Sequence, residues 1–132
     1  MTFTTPCFVR VENPEKRNEL IEWLEGIGYK LEYLRNDGVI VLTSENRVYV
    51  YGEALYRVIK VDYDTIDCGE NTELFKALAA MNYENNREQW FVEEGKMFKC
   101  TSDKINNYSY NWLTTRKATA EEIVEYFKNN GK

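Results

Sequence analysis

Short runs of two-residue alternation, broken three times by capped helix signals, confine this chain to a mixed architecture. No purely aliphatic run exceeds Val39-Ile40-Val41-Leu42. A helical membrane span is therefore excluded. Cys7, Val9 and Val11 alternate with Phe8, Arg10 and Glu12, which predicts a strand over 7–12. Asn13-Pro14-Glu15 then opens a helix. Asn13 is a good N-cap, Pro14 suits the first helical position, and Glu15 favours the positive end of the dipole. Its inward stripe is Leu20, Ile21, Leu24 and Ile27, with Gly26 or Gly28 as the stop.

Three strands are expected next. Tyr29 to Arg35 alternates, Asn36-Asp37-Gly38 reads as a hairpin turn, and Val39–Thr43 returns. After Ser44-Glu45-Asn46 comes Arg47–Tyr51, and a further strand is expected over Arg57–Asp64. Asn71, with Glu73 in the first turn, caps a second helix whose inner face is Leu74, Phe75, Leu78 and Met81 or Ala79. Residues 82–86 form a polar loop. Gln89–Glu93 and Lys96–Thr101 form a hairpin around Glu94-Gly95 that pairs Phe91 with Phe98 and Val92 with Met97. Both faces of that hairpin are apolar, so it is expected to be central and covered on both sides. Tyr108, Tyr110 and Trp112 alternate along another strand. Thr119 and Glu122 form a capping box for a last helix, with Ile123, Val124 and Phe127 inward and Asn130-Gly131 at its end. The expected class is α+β, three helices packed on antiparallel β-sheet, in one domain spanning all 132 residues.

The order of elements suggests an internal duplication. At an offset of 58, residues 12–45 share six identities with their counterparts, where chance gives about two. Glu12-Asn13 matches Glu70-Asn71, Leu20 matches Leu78, and Thr43-Ser44 matches Thr101-Ser102. The implied halves are β-α-β-β-β units over 1–56 and 57–117, followed by a C-terminal helix over 119–130.

Composition excludes more chemistry than it suggests. Histidine is absent, which removes the Ser-His-Asp triad, the Cys-His dyad and any histidine pH switch. A net charge of −5 gives no basic footprint for duplex DNA. Cys7, Cys68 and Cys100 are odd in number and form no CxxC, so they read as buried, inert thiols of a reducing cytoplasm. The N-terminus has neither a basic region nor an apolar one, and no signal peptide is expected. No phosphate-binding loop, GxSxG or HExxH occurs. Asp62, Asp64 and Asp67 offer carboxylates at a spacing unlike an EF-hand loop, and neither metal nor cofactor is expected.

One stretch stands apart. Residues 96–117 carry Lys96, Lys99, Lys104, Arg116 and Lys117 against a single Asp103, interleaved with Phe98, Tyr108, Tyr110 and Trp112. Rings that stack bases and cations that follow phosphates are the means by which sheets hold single strands. Lys99, Tyr108, Tyr110, Trp112, Arg116 and Lys117 are therefore the candidate binding residues.

Three blocks also carry a resemblance. They are 5–17, beginning Thr5-Pro6-Cys7-Phe8; 66–82 with the following Gln89-Trp90-Phe91; and 117–125, ending Glu121-Glu122-Ile123-Val124-Glu125. Together they resemble small uncharacterised proteins of gut Bacteroides-type bacteria and of their phages and prophages. That group brings no activity, cofactor or catalytic residue. It implies a phage-borne accessory protein that acts by binding. The leading expectation is a non-catalytic chain that binds another macromolecule, a protein first, through an exposed aromatic patch or a self-associating sheet edge. The alternatives are a single-stranded nucleic-acid binder and a carboxylate- or metal-dependent enzyme using Asp62 and Asp64.

Overall fold

The computed structural model describes residues 6–33, 38–43, 47–51, 65–81, 88–100 and 114–130. Among these are eight strands and three helices. The class is α+β, with two sheets.

The first sheet has the order β2-β4-β3-β1-β5. Its strands are β1 (Cys7–Arg10), β2 (Lys30–Tyr33), β3 (Val39–Leu42), β4 (Arg47–Tyr51) and β5 (Ile66–Asp67). β1 and β4 flank β3 antiparallel, while β5 joins β1 and β2 joins β4 in parallel. Alternation works as the sequence implies. Cys7, Val9, Ile40, Leu42, Val48 and Val50 face the main core, and Phe8, Val39, Val41 and Tyr49 cluster on the other side.

One expectation is overturned here. β2 and β3 do not form a hairpin, because β4 lies between them. The reason is burial. Val39 to Leu42 is apolar at every position and buried at every position, so it belongs at the centre of the sheet. β2 interleaves Lys30 and Glu32 with Leu31 and Tyr33, a pattern that suits an edge. Gly38 instead serves β1. Its carbonyl accepts the Val11 N–H, with Gly38 itself at φ +92°.

The second sheet, β7-β6-β8, is wholly antiparallel. It comprises β6 (Trp90–Glu93), β7 (Lys96–Lys99) and β8 (Thr115–Lys117). Phe91 pairs with Phe98 and Val92 with Met97, the register the sequence predicts. Glu94 and Gly95 both have positive φ, as a two-residue primed turn requires. Val92 joins the main core, whereas Phe91 packs with Cys100 and Phe98 on the opposite face.

The helices are α1 (Pro14–Gly26), α2 (Thr72–Ala80) and α3 (Ala120–Asn130). Asn13 Oδ1 accepts from the N–H groups of Glu15 and Lys16, and Asn71 Oδ1 from that of Leu74. Each bond satisfies a helix-end donor that would otherwise be orphaned. The Tyr29 hydroxyl, just beyond α1, donates to the Ala79 carbonyl at 2.7 Å and ties α1 to α2. α2 packs on β1 and on α3, and one apolar cluster runs from Val9 through Phe75 to Val92 and Ile123.

The proposed duplication gains nothing from this topology. The strand after α1 pairs in parallel with β4, while the strand after α2 forms an antiparallel hairpin with β7. Similar caps and turns are joined to different pairings. The strand expected over 57–64 and the one carrying Tyr108, Tyr110 and Trp112 lie outside the described residues.

Candidate binding groove

The second sheet turns its Trp90, Val92 and Met97 face toward the core and α3. Where that face meets α3, an open groove of about 820 Å³ runs along the surface. Val92, Met97 and Tyr126 provide its apolar part and Arg116, Glu122 and Glu125 its charges, with Glu94 and Lys96 of the β6–β7 turn at its end. Tyr126 extends the apolar surface beyond the groove. Its ring centroid lies 5.1 Å from that of Trp90 and 5.3 Å from that of Phe127. Trp90 meets Phe127 edge-on at 5.5 Å. All three rings and Met97 are half-buried, so they hold shape and still present surface.

Arg116 fixes the wall of the groove. Its guanidinium donates twice to Glu122, Nη1 to Oε1 at 2.8 Å and Nη2 to Oε2 at 2.6 Å. Glu122 also closes the capping box. Its Oε1 accepts the Thr119 N–H at 2.9 Å, and its own N–H donates to Thr119 Oγ1 at 3.2 Å. β8 is thereby clamped to the first turn of α3. The Arg116 guanidinium first, and then the Thr119 N–H, hold the Glu122 carboxyl at about 2, well below the usual carboxylate range. Because the folded value is lowered, the pair's contribution is complete above the ordinary carboxylate pKa and disappears as pH falls through about 2. In thermal melts, the Tm difference between wild type and Glu122→Gln is expected to be largest above about pH 5 and to close toward pH 2. The pair is largely exposed, so the difference is expected to be small and to shrink further in high salt.

The structure separates the cations that the sequence groups. Pairing with Trp90 and Val92 puts Lys99 and Arg116 on one face of the sheet, on strands at either side of β6. Lys117, opposite Phe91, belongs to the other face. Lys99 Nζ lies 3.4 Å from the Glu88 carboxylate, and Arg116 is engaged by Glu122. Of these three, only Arg116 lines the groove. Tyr108, Tyr110 and Trp112 lie outside the described residues, as do Asp62 and Asp64. Asp67 has a local task, since its carboxylate accepts the Gly69 N–H at 2.8 Å in the turn before α2. Trp90 and Tyr126 were not legible as a site. They are distant in sequence and meet only when α3 packs on the sheet.

Cys7, Cys68 and Cys100 are buried, and none of them is in a disulfide. Burial first, and the adjacent Cys68 thiol second, push the Cys7 thiol well above its ordinary value. The thiolate is the reactive form, so Cys7 is protected in the native state. A chromogenic disulfide reagent is expected to titrate almost no thiol in the native protein and all three in denaturant. Rapid native labelling of any one would contradict the burial. Among the described residues no helix is long and apolar enough to cross a membrane, and no three acidic, cysteine or histidine side chains are placed so that they could hold a metal ion.

Comparison of the chain with protein families, curated proteins and solved structures yields no match.

Proposed function

We propose that this chain is a non-catalytic binding protein whose partner is another protein, engaged at the groove between the second sheet and α3. The observation that carries the reading is the joined surface of Met97, Trp90, Tyr126 and Phe127, half-exposed and bordered by charges of both signs. An apolar centre with anchoring aromatics inside a polar rim is how protein surfaces bind one another. Lys96 and Arg116 stand there with Glu94, Glu122 and Glu125, a mixed rim that suits a protein better than a polyanion. The single-stranded nucleic-acid reading draws less from the geometry, since Lys99 and Arg116 have carboxylate partners and Lys117 is on the opposite face. The resemblance to phage-type accessory proteins and three cysteines outside any disulfide fit a role in a reducing cytoplasm.

Affinity capture from host lysate tests the proposal, using wild type, Met97→Glu, Tyr126→Glu and a Lys117→Glu control. The partner is expected to survive Lys117→Glu and to be lost from both groove variants, each checked by its melt to be folded. Capture that both groove variants leave intact would refute this use of the groove. Fluorescence titration with a labelled single-stranded oligonucleotide at low salt is expected to show no binding. Salt-sensitive binding would move the assignment to nucleic acid.

A further inference from the structure

We draw no further inference here: the strongest candidate, the cleft of about 500 Å³ where the N-termini of α1 and α2 meet beside Lys16 and Lys76, carries nothing, because Glu12, Glu19, Glu70 and Glu73 line the same space, each capping asparagine is engaged by its own helix, and among the described residues no buried unpartnered side chain is aimed into it.

Discussion

Gly38→Ala is expected to destabilise the protein by about 2–4 kcal/mol and to lower Tm by roughly 10 °C. Two effects add. Gly38 sits at φ +92°, where an L side chain is strained. A Cβ there would also lie 2.9 Å from the Val11 carbonyl oxygen, a backbone atom that cannot rotate away. Relief would require β3 to draw back from the end of β1, weakening the bond between the Val11 N–H and the Gly38 carbonyl. Gly26→Ala is the matched control. Gly26 is the last residue of α1, and a Cβ there meets nothing within 4 Å. Alanine should stabilise it by about 0.5–1 kcal/mol through helix propensity. Opposite signs for the two substitutions in denaturant titrations would verify the backbone account. Equal and small effects would mean that the Gly38 approach is looser than described.

The same two glycines show how far the sequence could be read. Gly26 and Gly28 are equally good stop signals on paper, and only Gly28 takes the positive φ, at +110°. Caps and the β6–β7 turn were legible because their partners are two or three residues away. Asn13, Asn71 and the Thr119–Glu122 box perform the roles their spacing implies. The Phe91–Phe98 register follows from a two-residue turn for the same reason. Pairing order was not legible. Asn36-Asp37-Gly38 satisfies hairpin grammar locally, yet β3 is apolar on both faces, and burying both places it between β1 and β4. β8 gave no signal, because Thr115-Arg116-Lys117 has no apolar alternation and holds its place through β6 and the Arg116–Glu122 clamp. Of the candidate site, Tyr108, Tyr110 and Trp112 lie outside the described residues. Cations close in sequence were expected to act together, but strand pleating sends Lys117 to one face and Lys99 and Arg116 to the other.

Phe75→Ala is expected to have the largest effect, about 3–5 kcal/mol, and to be felt in both sheets at once. Six of the nine residues of α2 are buried, Leu74, Phe75, Ala77, Leu78, Ala79 and Ala80. Phe75 is fully buried in the cluster that also holds Val9 of β1, Val92 of β6 and Ile123 of α3. Emptying that position leaves a cavity that the sheets cannot close without moving relative to each other, which close packing resists. A loss of this size is a large fraction of the 5–15 kcal/mol that typically holds a domain together. Unfolding can be followed separately at Trp23, on α1, and at Trp90, on β6, in variants that each retain one of these tryptophans and no other. If the chain is one cooperative unit, Phe75→Ala moves both transitions to the same lower denaturant midpoint. A shift at one tryptophan alone would divide the chain into independent units and defeat the single-domain reading. It would also bear on the groove, whose α3 wall stands on α2. With β1 and α3 both packed on α2, partner binding at the groove should raise the midpoint seen at Trp23 as much as that seen at Trp90.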